Sequence, residues 1–231
     1  MPVDEQPLRL NKHLALQLGI SRREADNLIS QSKVTINGKP AVLGARFIIG
    51  DKIIVDGRPL VADVAYQYLA FNKPIGYVCS RRQQGESPTI YDLIPLKYHH
   101  LKPVGRLDRD SSGIILLSND GDFAFTMTHP KFAKTKIYNV KLDHDLAPLH
   151  QQMISDYGVN LEDGNSLLQL ERANETSRSD WIVTMKEGRN RQIRRTFAAL
   201  GYTVTALHRT NFGNYSVSDI KPGEFEIVNI H

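Results

Sequence analysis

The chain has 231 residues, with 29 Lys or Arg against 25 Asp or Glu, a formal charge of +4 that hints at a polyanionic partner. Its 41% hydrophobic fraction supports a real core, one large domain or a medium one plus a small one, and a single cysteine, Cys79, excludes an internal disulfide. No apolar run approaches a membrane span and the polar start carries no signal-peptide pattern, so a cytoplasmic protein without membrane contact is expected.

Residues 1–7 read as a loose arm. Leu10, Leu14 and Leu18 recur every four residues and predict a short helix over 8–19, ended by Gly19. Ser21 stands as N-cap of a second helix, with Glu24 completing a capping box. Arg22 and Arg23 fall in its first turn, where the helix dipole disfavours cations, so something else wants them there. Val34-Thr35-Ile36 reads as a strand, Asn37-Gly38 as a hairpin turn, and Lys52 to Val55 as a second strand after Gly50-Asp51. Residues 57–66 read as a linker, and a larger domain is expected over 67–231.

In that domain, strands are expected over 67–71, 77–80, 136–142, 167–170, 180–185, 202–207 and 224–228. Short helices are expected over 122–128, 146–154 and from Lys186 to Leu200, the last with Ile193, Phe197 and Leu200 as its buried stripe. Residues 81–86 are polar and read as a loop. The order predicts an α+β fold built on a mixed, largely antiparallel sheet.

Base is concentrated in two segments. Residues 8–56 hold eight Lys or Arg against four acids, and residues 186–209 hold six against one. The modest net charge therefore hides two basic patches, the distribution expected for nucleic-acid contact.

The densest chemistry lies in Gly105-Arg106-Leu107-Asp108-Arg109-Asp110-Ser111-Ser112-Gly113, followed by the apolar run Ile114-Ile115-Leu116-Leu117. The run reads as a strand buried on both faces. Asp108 and Asp110 match the start of an EF-hand loop, but Asn119 occupies the twelfth position where a bidentate Glu is needed. An aspartyl phosphotransferase would put the apolar strand before the nucleophile, not after it. A glycosidase-type carboxylate pair remains weakly supported by two aspartates so close in sequence. With one cysteine and no His or Cys cluster at ligand spacing, no metal site is expected.

Gly105-Arg106-Leu107-Asp108 resembles the catalytic motif of RNA pseudouridine synthases. Asp110, Gly113, Leu116-Leu117 and Asn119-Asp120-Gly121 extend the resemblance to the RsuA/RluB branch acting on ribosomal RNA. Asn72-Lys73-Pro74-x-Gly76, Lys136-x-Tyr138-x-Val140 and residues 187–195 (Glu-Gly-Arg-Asn-Arg-Gln-Ile-Arg-Arg) follow in the family's order. Residues 8–56, with Arg9-Leu10-Asn11-Lys12 and Ser21-Arg22-Arg23-Glu24-Ala25, resemble the S4 RNA-binding domain.

The resemblance implies isomerisation of uridine to pseudouridine in ribosomal RNA, with no cofactor, because nothing is added or removed. It implies Asp108 as the essential carboxylate, Arg194 as the cation pairing with it, and Tyr138 as the aromatic that stacks on the base and serves as general base. A paired uracil is unreachable, so it must be flipped out, and Arg106 matches the residue that holds it. Lys12, Arg22, Arg23 and Lys33 are expected on RNA phosphates, with Lys73, Arg189, Arg191 and Arg195 as further RNA contacts. Arg109 and Asp110 are read as supporting charges. Segments 158–164 and 187–191 tilt the expected substrate toward 23S rRNA, with 16S rRNA as the alternative. A different class of function, a non-catalytic ribosome-associated RNA-binding protein, is opposed by the intact Asp108, Tyr138 and Arg194. A monomer is expected.

Overall fold

The structure, a computed structural model, describes residues 7–60, 65–81 and 85–230. Residues 1–6 of the expected arm, 61–64 of the linker and 82–84 of the 81–86 loop thus lie outside the described residues. The chain divides into two compact units, Met1–Tyr66 with Asn119–Gly121, and Gln67–Ser118 with Asp122–His231.

In the first unit, α1 (Leu10–Gln17) and α2 (Arg22–Ser30) pack on a small sheet. The sheet comprises β1 (Val34–Ile36), β2 (Lys39–Pro40), β3 (Ile53–Val55) and β4 (Arg58–Pro59) in the order β2-β1-β3-β4. The Ser21 hydroxyl accepts from the Glu24 amide and the Glu24 carboxylate accepts from the Ser21 amide, so the capping box forms. Asn37 and Gly38, both at positive φ, make the tight turn between β1 and β2. Leu10, Leu14, Ala25, Ile29 and Val34 form the core, while Leu18 points out. Arg58–Pro59 pairs with β3, so folded backbone continues beyond Asp56, where a linker was expected.

The second unit is built on one mixed sheet. Its strands are β5 (Tyr68–Lys73), β6 (Lys102–Val104), β7 (Ser112–Ser118), β8 (Lys136–Leu142), β11 (Gln169–Arg172), β12 (Asp180–Met185), β13 (Val204–Phe212), β14 (Tyr215–Ser216) and β15 (Phe225–Ile227). The main path runs β11-β12-β8-β13-β7-β5-β15, antiparallel at every step except β13–β7, which is parallel. β9 (Val159–Leu161) and β10 (Gly164–Ser166) form a separate hairpin. The helices are α3 (Gly121–Thr128), α4 (Pro148–Gln152) and α5 (Gln192–Ala198).

The side-chain patterns explain these choices. Ile114 to Leu117 are each at most 1% exposed, because β7 is central with apolar layers on both faces. β8 alternates buried and exposed positions, with Lys136, Tyr138, Val140 and Leu142 inward. One core, around Trp181, Phe197, Ile193 and Leu207, fills the α5 side of β8, β12 and β13. A second, around Ile114, Leu116, Phe123 and Phe212, lies beneath α3. Truncating the fully buried Trp181 would cost about 3–5 kcal/mol.

Two further expectations need correction. Residues 77–80 make only a bridge between Val78 and Thr89 rather than a strand, because Gly76 turns the chain at positive φ and Val78 has no longer partner. The 186–200 helix starts at Gln192: Arg191 adopts a left-handed conformation (φ 46°), which helical backbone does not permit. The β9–β10 hairpin has no counterpart among the expected elements.

Candidate active site

The charged loop 105–111 joins β6 to β7 and is tied down from several directions. Val104 pairs with Leu116. The Ser111 amide donates to the Asp108 carbonyl (3.1 Å), closing a tight turn that carries both aspartates. The Gly76 amide donates to the Arg109 carbonyl (2.8 Å). From β5, Lys73 reaches beneath the loop and donates to the carbonyls of Ser111 (2.7 Å) and Pro74 (2.9 Å). At its end, Gly113 lies so near β13 that a Cβ would sit 2.1 Å from the Arg209 carbonyl oxygen. Only glycine permits that approach, and it occurs at φ +109°.

The loop forms one wall of a cavity of about 320 Å³. Asp108 and Arg106 stand on that wall, Tyr138 reaches it from β8, and Arg191 lies on the segment ahead of α5. Asp108 and Tyr138, far apart in sequence, thus line the same cavity. Arg106 is exposed at the cavity.

The pairing of charges differs from expectation. Arg191, not Arg194, meets Asp108: its Nη1 lies 3.3 Å from Asp108 Oδ2. The same guanidinium grips Asp110 with two bonds of 3.1 Å. Arg194 donates to the carbonyls of Val204 (2.7 Å) and Asp110 (2.9 Å), and its Nε lies 3.3 Å from Asp110 Oδ2. The reason is local. With Arg191 left-handed at the head of α5, its side chain turns toward the loop, while Arg194 lies along the helix toward β13. Burial pushes the Asp110 carboxyl up, but the Arg191 hydrogen bond and the charges of Arg194 and Arg191 outweigh it and hold it below the usual carboxylate range. Asp110 is therefore the node that joins both arginines to the loop.

Three other expected RNA contacts are committed elsewhere. Lys73 is fully buried and cannot reach a phosphate. Its burial lowers its pKa, opposed by Cys79, Asp108 and Asp110, so it serves as an internal clamp. Arg195 grips the Asp163 carboxylate with both terminal nitrogens (3.0 and 2.7 Å). Arg189 bonds Asp163, Gly164 and Asn165. The two fix the β9–β10 hairpin to α5 and the segment ahead of it, although Arg189 also lines the cavity. In the first unit, Arg22, Arg23 and Lys33 are exposed and Lys12 is half-buried. Arg22 donates to Asn11 (3.3 Å), and Lys33 lies 3.9 Å from Asp56.

Two inner cations carried no expected role. Lys136 and Arg209 line the same cavity, and they are 9% and 3% exposed. Lys136 precedes Tyr138 by two on a strand and so shares its inward face, a signal legible in the alternation. Arg209 is opposite Tyr138 in the β8–β13 register. Among the described residues, no group of three or more His, Cys, Asp or Glu is gathered as a metal site would need.

Known proteins share this arrangement of domains. A family model described as RNA pseudouridylate synthase matches residues 67–199, and one described as S4 domain matches residues 8–43. Ribosomal small subunit pseudouridine synthase A of Yersinia pestis is 34% identical over 220 residues, covering 94% of this chain and 93% of the relative. Ribosomal large subunit pseudouridine synthase B of Xanthomonas campestris pv. campestris is 36% identical over 223 residues, covering 90% of this chain but 44% of the relative. A solved structure described as a pseudouridylate synthase superimposes with a TM-score of 0.67 at 31% identity, covering 96% of each chain. The chain therefore belongs to the RNA pseudouridine synthase family and carries an S4 domain ahead of its catalytic domain.

Proposed function

We propose that this enzyme isomerises uridine in ribosomal RNA, with Asp108 as the reacting carboxylate and Tyr138 as the aromatic against the base. One observation carries the reading: Asp108, Tyr138 and Arg106 line a single cavity of about 320 Å³, a size suited to one small ligand. The C1′–N1 bond of the uridine breaks, the uracil turns, and C5 bonds to C1′. Atoms in and atoms out are the same, so no cofactor enters. Asp108 stands beside the sugar, oriented by the Arg191 hydrogen bond. Arg106 holds the extruded nucleotide at the mouth, where an exposed guanidinium is suited to phosphate. Arg194 acts at one remove, by holding the backbone and carboxylate of Asp110.

Lys12, Arg22, Arg23 and Lys33 supply sequence-independent phosphate contacts from the S4 domain, residues 8–56 in our division, with the catalytic domain over 67–231. The protein works as a monomer in the cytoplasm, where ribosomal RNA is made. The relatives' names point to both ribosomal subunits, and segments 158–164 and 187–191 favour 23S rRNA. Mapping pseudouridines in 16S and 23S rRNA from a strain lacking this protein tests the reading. One uridine, in 23S rRNA, should revert; an unaltered set in both rRNAs would refute it.

A further inference from the structure

The cavity holds two buried cations that form no ion pair among the described residues. Arg209 is only 3% exposed, and its Nε donates to the Ile114 carbonyl (2.8 Å). Its Nη2 is buried with no hydrogen-bond partner among the described residues. An unmade bond of this kind costs about 1–3 kcal/mol, and more on a charged group. Among the described residues, Lys136 Nζ donates only to the Glu187 carbonyl (3.1 Å). Neither side chain is in an ion pair among the described residues. Burial and the neighbouring Arg209 charge push the Lys136 ammonium down, against the pull of Glu187. Like charges that are buried together beside an open cavity destabilise the empty fold, so their use must come from what fills it.

Their placement is rigid. The backbone of Arg209 is wedged against Gly113, and its guanidinium lies 4.8 Å from the Phe212 ring centre and 6.0 Å from that of Tyr138. Lys136 Nζ lies 5.5 Å from the Phe212 ring centre. Both therefore sit on the buried side of the cavity with the ring that meets the base. Arg106 and Arg191 (side chain 44% exposed) mark the outer side.

We propose that Arg209 and Lys136 form an oxyanion site for the carbonyl oxygens of the uracil, stabilising the negative charge that the ring carries between bond breaking and bond making. This rests on the uridine-isomerising reading above. When C1′–N1 breaks, its electron pair leaves with the uracil and spreads from N1 onto O2 and O4. When C5 bonds to C1′, the C5 proton departs and N1 takes one up, and the charge is discharged. Fixed donors aimed at such transient charge in a water-poor site are among the largest catalytic effects known. A phosphodiester stays tethered to the RNA strand and is suited to the outer arginines, whereas the inner cations are within reach of the base.

The test uses deproteinised 16S and 23S rRNA labelled with [5-³H]uridine and the full chain as wild type, Arg209→Gln and Lys136→Met. Tritium release is followed in single turnover at saturating enzyme, and RNA affinity is measured separately. Arg209→Gln should slow release about 10²–10³-fold and Lys136→Met at least about 10-fold, with RNA Kd changed less than about 3-fold. Raised Kd with an unaltered saturating rate would mean that these cations bind phosphate and would overturn the proposal, as would variants with both quantities at wild-type values. If Arg209→Gln does not fold, Lys136→Met decides by the same criteria. Release by wild type alongside unaffected variants refutes only this site. Absence of wild-type release refutes the uridine-isomerising reading itself.

Discussion

Asp108 and Asp110 stand two residues apart in one turn, yet they do different work. Asp108 faces the cavity and shares one bond with Arg191, while Asp110 takes two from Arg191 and meets Arg194 as well. Asp110→Asn should therefore loosen the loop and slow release several-fold without abolishing it. The pH dependence follows in sign. The carboxyl of Asp110 is held below its ordinary value in the fold, so its contribution is fully present above about pH 4 and is lost as pH falls through the lower folded value. The difference in melting temperature between wild type and Asp110→Asn should thus be largest at neutral pH and shrink toward about pH 3; a difference independent of pH would contradict the pairing. Asp108 was legible in the sequence because it ends a recognisable motif. Its partner was not: on a continuous helix Arg191 and Arg194 would share a face, and only the left-handed turn at Arg191 separates them.

The strand β7 and the start of α5 decide the geometry of the site. β7 was readable because four apolar residues in a row fit a strand covered on both faces. A strand over 202–207 was expected where β13 lies, but its parallel pairing with β7 was not legible, since pairing partners distant in sequence leave no local signal. Gly113 is the point where the two strands touch, so Gly113→Ala combines a collision with backbone strain. We expect a loss of about 2–4 kcal/mol in urea unfolding, together with lost activity. Wild-type stability in that variant would contradict the close approach. The hairpin β9–β10 left little trace in the sequence because its segments are three residues each and polar at the turn. Asp163, held by Arg189 and Arg195, fixes it to α5. Asp163→Ala should raise proteolytic nicking at the hairpin with little effect on global stability, since the pairs are exposed to solvent. Unchanged nicking would argue against the clamp.

Over the whole chain, an S4 domain and a catalytic domain divide the labour between holding RNA and acting on one base. The two basic segments were legible as charge, but their roles were not equally so. In 186–209, Arg189, Arg194 and Arg195 are bound internally, leaving less of that patch for RNA than its sequence suggests. The exposed arginines of α2 are the better candidates for phosphate. Arg22→Ala with Arg23→Ala should weaken rRNA binding and lower the slope of log K against log salt by about 0.7–0.9 for each phosphate no longer neutralised, at unaltered single-turnover rate. An unchanged slope would remove them from the interface. The central claim, that Asp108 performs uridine isomerisation, is tested most directly by tritium release from rRNA labelled at uridine C5. Wild type should release tritium from a single site, and Asp108→Asn, folded and still binding RNA, should release it at least about 10³-fold more slowly. Full release by Asp108→Asn would contradict it.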